Sequence, residues 1–565
     1  MLVETDVRMT LNYVLDESCT KYGDQPAVGM ALAQPLLYRQ LHLYVISLAA
    51  SLQREGLGKG DRVAILAENS HFWGIAYLAS VRLGAVVVPI LPDLPESDVR
   101  HILTEMQVRM LFTTQRQIEK IYELKKELAG SVITLDDYQA PGEVVSVRPF
   151  SALLTEAVAA LEQQDLIPEF MEVAEDDLAS IIYTSGTSGY SKAVMLSHKN
   201  LTSNGYAASR LMQVPPGSVF LSILPMSHTY EFTLGFIMPL LCGCRIAYAG
   251  KTPTPAILQN LCQEEKPFAI FAVPLVMEKI YKKRVLPKIA KSPLLRLGCR
   301  TRLGQKLVYR QIGKKLVEFL GGNLQLMGIG GAALNPETEE FLRQAEFPYL
   351  IGYGLTESSP LLSGGPMYDK TIAVGSAGKP IPGVEIRIAD PAPDTGIGEI
   401  HAAGPNVMRG YYEDGEGTAL ALSPDGWLAT GDLGFLDEQG NLHICGRLKN
   451  VIVMANGENV YPEAVEHKIN ALSWVVESMV LENNGQLEAW VYPDYEVVDE
   501  LTIGKNRAER RIYLEELLED MRQRINDQVA DASRLARVFE RREPFIKTAT
   551  HKIKRYLYHS HTMAA

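Results

Sequence analysis

Short, continuously apolar segments alternate with longer segments of helical periodicity in the first part of the chain. Residues 62–66 and 85–91 are of the first kind, and residues 36–54 and 72–83 are of the second. An apolar run without polar alternation is typical of a strand buried on both faces, as parallel strands covered by helices are. The alternation therefore predicts an α/β body built on mostly parallel sheets.

The later part of the chain has two other patterns. Residues 425–441 are rich in turn formers, and two short alternating runs meet at Gly440-Asn441, which predicts a β meander. Residues 450–565 predict a compact α+β unit with a highly charged helix over about 506–528.

The composition limits the classes of protein to which the chain can belong. Of its 565 residues, 47% are hydrophobic and 22% are charged, which supplies a large core and excludes a mainly disordered chain. The formal charge of −12 argues against nonspecific binding of nucleic acid by the chain as a whole. Six scattered cysteines have no paired spacing for a disulfide scaffold or a zinc site, so we expect a reducing, cytoplasmic location.

The sequence also gives no sign of export or membrane insertion. The first residues lack the basic and apolar regions of a signal peptide. The longest nearly apolar run, at residues 233–244, is 12 residues long, whereas a membrane span needs roughly 18. We expect this run to form a buried strand or a short helix.

The most informative motif is Ile-Ile-Tyr-Thr-Ser-Gly-Thr-Ser-Gly-Tyr-Ser-Lys at residues 181–192, an apolar strand that leads into a small-residue loop ending in a lysine. Small side chains let backbone N–H groups approach phosphate oxygens, hydroxyls add donors, and the lysine adds positive charge. The loop suits a polyphosphate, although it is not a Walker A loop because Gly-Lys-Ser/Thr is missing. The candidate ligands are Thr184, Ser185, Gly186, Thr187, Ser188, Gly189 and Lys192.

Two further motifs supply groups that suit a nucleotide. Residues 352–360 place an aromatic ring, a hydroxyl and a carboxylate close together; a ring can stack on a purine, and the two oxygen ligands can hold Mg²⁺. Asp432 ends a Thr-Gly-Asp sequence, and Arg447 follows 15 residues later. An aspartate can accept two ribose hydroxyls, and an arginine adds charge beside the sugar and phosphate.

A dinucleotide-binding loop is the alternative for residues 328–333, which match the pattern G-x-G-x-x-A. Such a site needs its helix to open within the glycines. Here Asn335-Pro336 supplies a helix N-cap and first helical residue beyond them, so we predict that the helix begins too late.

In combination and order, these motifs resemble those of the adenylate-forming superfamily, which contains acyl-CoA synthetases, luciferases and nonribosomal adenylation domains. The resemblance runs from about Tyr38 to Arg555 and includes a final basic motif at residues 544–555. It implies a large N-terminal domain over residues 1–446, with mixed, mostly parallel sheets and a β subdomain. A small, mobile α+β domain over residues 447–565 would pivot near Lys449.

The resemblance also implies a role for each candidate residue. In the nucleotide half, Tyr353 would face adenine, Thr356 the α-phosphate, and Glu357 and Thr184 the Mg²⁺ ion, with Gly354 also part of the nucleotide site. Asp432 and Arg447 would hold the ribose. Gly330, Gly331 and Ala332 would leave bare backbone for the adenine and the acyl group. In the chemistry, Lys552 would be the catalytic lysine, His228 would border the substrate carboxylate, and Lys449 would act at the hinge.

Residues 273–281 and the ending Lys-Thr-x-Thr-x-Lys-Ile-Lys-Arg are most similar to long-chain fatty acyl-CoA synthetases. The chain departs from the family pattern at Ser191, Ala193, Leu275 and His551, where proline, glycine, arginine and glycine are usual. The first two changes remove a fixed φ and require a backbone without positive φ at residue 193.

The implied activity is an ATP-dependent, AMP-forming ligation of a medium- or long-chain carboxylic acid to CoA. An alternative shares the first step but delivers the acyl group to the phosphopantetheine of an acyl carrier protein. A third alternative, motivated by the departures, is a non-catalytic sensor of nucleotide or acyl groups.

Positive charge is concentrated in residues 279–317, which contain thirteen lysines and arginines and no acid, so that the rest of the chain carries −25. Leucines and other apolar residues are interleaved with these bases. Such a surface could touch anionic lipid, which would place the protein peripherally at a membrane. The phosphates of CoA, an acidic carrier protein and a plain solvated pair of helices are the alternatives.

Overall fold

The computed structural model describes residues 7–124, 132–139, 147–163, 168–184, 192–454, 457–548 and 552–558. Its strands, in chain order, are β1 (Pro26–Met30), β2 (Leu36–Leu37), β3 (Arg62–Leu66), β4 (Val86–Ile90), β5 (Met110–Thr113), β6 (Val132–Thr134), β7 (Val147–Pro149), β8 (Leu178–Tyr183), β9 (Ala193–Ser197), β10 (Val219–Ser222), β11 (Arg245–Tyr248), β12 (Ala269–Ala272), β13 (Leu326–Ile329), β14 (Tyr349–Gly354), β15 (Leu361–Gly364), β16 (Lys379–Pro380), β17 (Glu385–Ala389), β18 (Gly398–Ala403), β19 (Gly410–Tyr411), β20 (Leu428–Leu436), β21 (Leu442–Arg447), β22 (Ile452–Val453), β23 (Asn459–Val460), β24 (Val475–Asn483), β25 (Gln486–Pro493) and β26 (Leu535–Glu540).

The helices lie between these strands. They are α1 (Leu11–Tyr22), α2 (Tyr38–Arg54), α3 (His71–Arg82), α4 (Glu96–Glu105), α5 (Phe150–Glu162), α6 (His198–Ser209), α7 (Thr229–Glu231), α8 (Met238–Leu241), α9 (Pro255–Glu265), α10 (Pro274–Ile280), α11 (Leu286–Lys291), α12 (Pro293–Gly298), α13 (Arg302–Phe319), α14 (Pro336–Gln344), α15 (Gly415–Ala421), α16 (Pro462–Asn470), α17 (Tyr495–Leu501) and α18 (Arg507–Asn526), with π-helical turns at Phe232–Ile237 and Tyr281–Val285 and 3₁₀ turns at Gln115–Leu124, Thr356–Ser358, Leu448–Asn450, Asp531–Ser533 and Arg555–Leu557.

Two large sheets form the N-terminal body. The first has the order β19-β9-β8-β4-β3-β5-β6-β7, and the second has the order β16-β15-β14-β13-β12-β10-β11-β1-β2. Most neighbours are parallel, whereas β9 runs antiparallel to both β8 and β19, and β15 runs antiparallel to β14. Strands such as β4 are buried over their whole length, as a strand covered on both faces must be. The predicted α/β class with mixed, mostly parallel sheets is confirmed.

A four-stranded antiparallel sheet, β17-β18-β20-β21, follows these two sheets. Its β20–β21 hairpin turns at Gly440-Asn441, and the register pairs Asp432 with Arg447. The expected β meander is therefore present.

The C-terminal residues form an α+β unit with its own core. The strands β24, β25 and β26 make a separate sheet, and the charged α18 packs beside it. This helix occupies Arg507–Asn526, within two residues of each predicted end.

The apolar run at residues 233–244 is mainly helical and buried, being part of a π-helical turn followed by α8. Just before it, Glu231 is only 1% exposed, and neither carboxylate oxygen has a hydrogen bond of normal geometry among the described residues. Burial raises the pKa of Glu231 to about 8, although the nearby Ser222 hydroxyl and Leu224 backbone lower it in part. Within the described ranges, no helix is long and apolar enough to cross a membrane.

Candidate active site

The strand β14 brings the second motif to the edge of the second sheet. Tyr353 is buried near its end, and its hydroxyl donates to Asp432 Oδ2 at 2.8 Å. The next residue, Gly354, has to be glycine because a Cβ atom there would lie 1.8 Å from the Pro360 carbonyl oxygen. Adenine stacking on Tyr353 stays a prediction, and the structure adds a direct link from its hydroxyl to Asp432.

Asp432 and Arg447 form the second part of the site. They face each other across the β20–β21 hairpin, and Arg447 Nε lies 2.8 Å from Asp432 Oδ1. Asp432 is 5% exposed, so this ion pair and the Tyr353 hydroxyl fix the orientation of its carboxylate. The 15-residue spacing seen in the sequence is thus the length of one hairpin.

Glu357 lies in the 3₁₀ turn that follows β14, where Tyr411 contacts it. The Tyr411 hydroxyl donates to Glu357 Oε1 at 3.0 Å, and the Lys192 ammonium stands 4.2 Å from the centre of the same ring. Burial, and then the Glu357 charge, raise the pKa of Tyr411 above its usual range, so the phenol stays protonated and keeps donating. Tyr411 therefore joins the predicted metal ligand to the predicted phosphate lysine.

The ends of the predicted phosphate loop are held together. The Thr184 N–H donates to the Lys192 carbonyl at 2.9 Å, at the open end of the β8–β9 pair. Ala193 begins β9, where no glycine conformation is required. Ser185, Gly186, Thr187, Ser188 and Gly189 lie outside the described residues, as do Ser191 and His551.

Gly330 and Gly331 follow β13 and leave the backbone without side chains beside the motif at residues 352–360. A Cβ atom at Gly330 would lie 3.3 Å from both the Gly352 carbonyl and the Tyr230 ring, and Gly331 has φ +86°, while Ala332 is exposed. The following helix begins only at Pro336, with the Asn335 side chain accepting from the Glu337 and Thr338 N–H groups. This late start confirms the argument against a dinucleotide-binding loop.

An apolar cavity of about 80 Å³ opens beside these residues. Its lining includes His228, Gly330 and Tyr353, and the rest of its wall is almost entirely hydrophobic, with contributions from Leu211, Met212, Leu234, Met238, Phe271 and Leu350. A group with a polar head and an apolar body would match this lining, and a long acyl chain needs the cavity to widen, because ligand sites usually span about 300–1,000 Å³.

His228 lines the cavity as a neutral imidazole. Burial, reinforced by the charge of Lys552, lowers the pKa of His228 to about 4. Its Nδ1 accepts from the Tyr230 N–H at 3.2 Å, so Nε2 carries the proton. At neutral pH, His228 is therefore a hydrogen-bond donor and not a positive charge.

The C-terminal residues add two lysines to the site. Although part of the Lys552 side chain reaches solvent, desolvation lowers its pKa, the charge of Arg447 lowers it further, and Asp432 and Glu357 oppose the shift. Desolvation also lowers the pKa of Lys449, followed by the charges of Arg447 and Lys552. The structure thus brings the predicted catalytic lysine to the nucleotide motifs.

The donors near Glu357 suit an ion that arrives with its own ligands. In the described parts of the chain, no three His, Cys, Asp or Glu side chains are placed to share a metal ion. Mg²⁺ is commonly held by one or two carboxylates plus substrate phosphates, so the single Glu357 carboxylate suits Mg²⁺ that arrives with a nucleotide, and Thr184 as a second ligand stays a prediction.

Comparison with known proteins gives these residues a context. A sequence profile of the AMP-binding enzyme family matches residues 15–412. The chain belongs to the AMP-binding enzyme family. The resemblance inferred from the motifs is therefore confirmed, while Asp432, Arg447, Lys449 and Lys552 lie beyond the matched range.

Three similar proteins cover most of this AMP-binding enzyme. Long-chain-fatty-acid–CoA ligase FadD15 of Mycobacterium bovis is 31% identical over 75% of this chain and 72% of its own length. Fatty acyl-CoA synthetase A of Dictyostelium discoideum is 29% identical over 83% of this chain and 73% of its own. A crystal structure of the ATP-bound RpMatB-BxBclM chimera B1 is 25% identical, has a TM-score of 0.76 and covers 98% of each chain.

Sequence reasoning missed Tyr411 as a site residue of this AMP-binding enzyme. Its strand β19 has two residues and pairs with β9, whose partner residue Val194 is more than 200 positions earlier in the chain. The local sequence Gly-Tyr-Tyr has no chemical pattern of its own. Only the long-range pairing brings the ring between Glu357 and Lys192.

Proposed function

We propose that this AMP-binding enzyme is an ATP-dependent ligase that joins a medium- or long-chain carboxylic acid to CoA. The observation that carries the proposal is the junction of the apolar cavity with the nucleotide motifs. His228, Gly330 and Tyr353 border the cavity, and Tyr353 is bonded to Asp432 on the nucleotide side. A carboxylate beside His228, with its chain entering a widened cavity among hydrophobic side chains, would lie next to the α-phosphate of ATP.

In the first half-reaction, a carboxylate oxygen attacks the α-phosphorus, the bond to the β-phosphate oxygen breaks, and pyrophosphate leaves. Neutral His228 would donate from Nε2 to the substrate carboxylate and orient it without forming an ion pair that lowers its nucleophilicity. Asp432, held by Arg447 and Tyr353, would accept the ribose hydroxyls. Together these contacts would hold the carboxylate and the α-phosphorus for in-line attack.

Negative charge develops on the phosphates as pyrophosphate departs. Lys552 would stabilise this charge, and Lys192 would leave the Tyr411 ring to contact the phosphates. Mg²⁺ bound with ATP, held by Glu357 and Thr184, would supply further electrostatic stabilisation.

In the second half-reaction, the thiol sulfur attacks the acyl carbonyl carbon, the bond to AMP breaks, and the thiol proton passes to solvent. The thiol needs the space beside Lys552, so we propose that residues 447–565 rotate as a small domain against residues 1–446 about a hinge near Lys449. The 3₁₀ turn at Leu448–Asn450 joins β21 to the C-terminal unit and supports this placement.

The acceptor and the working location are part of the proposal. CoA and an acyl carrier protein offer the same phosphopantetheine thiol, and the similarity to CoA ligases favours CoA. The basic residues of 279–317 support contact with an anionic partner, and we propose that this contact is peripheral, at a membrane surface.

The test is pyrophosphate release across carboxylic acids of graded chain length, with CoA and holo-acyl carrier protein compared as acceptors. We expect release with medium or long chains and thioester formation on CoA. Lys552→Ala should lower ATP–pyrophosphate exchange by ~10² to 10³. Nucleotide binding without pyrophosphate release for any acid would instead support the non-catalytic sensor.

A further inference from the structure

Four leucines on the basic segment point into solvent. Leu294 and Leu297 lie on α12 and are 80% and 60% exposed, and Leu303 and Leu307 lie on α13 and are 79% and 62% exposed. Spacings of three and four residues put the two members of each pair on one face of their helix. We call these four residues the leucine patch.

The two helices that carry the patch touch each other. A Cβ atom at Gly304 would lie 2.2 Å from the Gly298 carbonyl oxygen, so α12 and α13 approach backbone to backbone at these glycines. Leu297 and Leu303 are the direct chain neighbours of the two glycines. The leucine patch is therefore carried by two helices that adjoin each other.

Unpaired bases accompany the patch. Two other bases of the segment have acidic partners among the described residues: Lys283 pairs with Glu496, and Arg310 pairs with Glu346. Six exposed bases between residues 288 and 306 have no such ion pair in the part of the chain that the structure describes; they are Lys288, Lys291, Arg296, Arg300, Arg302 and Lys306.

We infer that the leucine patch and its six bases form a docking surface for an anionic lipid bilayer. An acidic protein would account for the bases alone, and a neutral apolar partner would account for the leucines alone. An anionic bilayer satisfies both, because leucines enter the boundary of the acyl chains while lysines and arginines meet the headgroups. The inference gives the proposed membrane contact a defined surface.

The position of this surface fits an apolar substrate. The strand β12, in which Phe271 lines the apolar cavity, leads into α10, in which the basic segment begins. A long-chain acid partitions into bilayers, so docking here would bring the enzyme to the phase that holds its substrate. This last step rests on the proposed function, whereas lipid binding itself does not require catalysis.

The test is sedimentation of the full-length protein with vesicles of phosphatidylcholine, alone or with about a quarter phosphatidylglycerol. We expect binding to the anionic vesicles that weakens with salt. Each base near the surface contributes about fivefold, so Lys288→Gln with Lys291→Gln should lower partitioning about 30-fold. Leu294→Ser with Leu303→Ser should lower partitioning by about tenfold or more, because serine has little apolar surface for the bilayer to bury.

Matched controls come from elsewhere on the surface. Leu420 is 79% exposed, and Lys251 and Lys370 are exposed bases, so Leu420→Ser and the double change Lys251→Gln with Lys370→Gln alter the same properties outside the patch. These controls should bind vesicles as the wild type does. Melting temperatures of all variants, measured without vesicles, confirm that they fold.

Several results would overturn the inference. They are equal binding to neutral and anionic vesicles, equal losses in patch and control variants, or a lysine-dependent affinity for holo-acyl carrier protein without vesicle binding. Failure of the proposed ligase activity would appear separately, as absent pyrophosphate release from medium- and long-chain acids supplied without vesicles, in a protein that still binds vesicles.

Discussion

Replacement of Lys282 by methionine should slow the first half-reaction without slowing the second. The Lys282 ammonium donates to the carbonyl oxygens of Asn470, Leu472 and Val475 at 3.0, 3.2 and 3.4 Å. These carbonyls lie at and just beyond the C-terminal end of α16, where the helix dipole favours a positive charge. Lys282 thus fastens the C-terminal unit in the orientation that places Lys552 at the site.

The contacts of the Lys282 ammonium give the size of the expected change in docking free energy. Hydrogen bonds to a charged group contribute ~1.5–3 kcal/mol each, so the two shorter bonds supply several kcal/mol. Desolvation of the ammonium offsets part of this, and it also lowers the pKa of Lys282. A net contribution of ~2 kcal/mol corresponds to a shift of ~30-fold in the equilibrium between docked and undocked orientations.

The assay compares ATP–pyrophosphate exchange with thioester formation from preformed acyl-adenylate. Lys282→Met should slow exchange by up to ~30-fold and leave thioester formation unchanged or faster. The matched control is Lys283→Met, because Lys283 pairs with Glu496 in an exposed contact that is worth ~0–1 kcal/mol. Equal losses in both half-reactions, or equal effects of the two substitutions, would refute this reasoning.

Three further predictions concern single residues. Tyr411→Phe keeps the ring but removes the bond to Glu357, so exchange should fall by ~10- to 100-fold and need more Mg²⁺, which a magnesium titration measures. Glu231 has a folded pKa of about 8, so the folded chain keeps a proton that the unfolded chain loses between about 4.5 and 8, and stability falls as pH rises through that window. Glu231→Gln should remove this fall and raise the melting temperature at pH 8 by a few degrees, with little change at pH 4.5. Gly354→Ala should yield a protein without exchange activity, because the new methyl group meets the Pro360 carbonyl; normal exchange would contradict the close approach.

The sequence predicts those features that depend only on residues close together in the chain. The strand at Arg62–Leu66 appears at its predicted bounds because a short, wholly apolar run has few other stable forms. Asp432 and Arg447 could be paired in advance because a recognisable turn at Gly440-Asn441 lies between them.

Other contacts join residues that are far apart in the sequence, so no short stretch of sequence predicts them. Lys282 contacts carbonyls 188 or more residues further along the chain. Tyr411 reaches Glu357 only because β19 joins the edge of the first sheet. The sequence predicts a basic, amphipathic surface in residues 279–317 but not which leucines are exposed, because leucines at helical spacing also suit a buried face. The neighbours that each helix receives decide between the two.

The electrostatics of the site link nucleotide binding to the proposed domain rotation. Desolvation lowers the pKa of Lys552 and of Lys449, and the charge of Arg447 lowers both further. Asp432 opposes both shifts, together with Glu357 at Lys552 and with Glu463 at Lys449. A triphosphate would relieve the repulsion among the cations and favour docking of residues 447–565, and release of pyrophosphate would restore it and favour rotation. ATP should therefore protect the hinge near Lys449 from limited proteolysis more than AMP does. Equal protection by ATP and AMP would mean that charge does not drive the rotation.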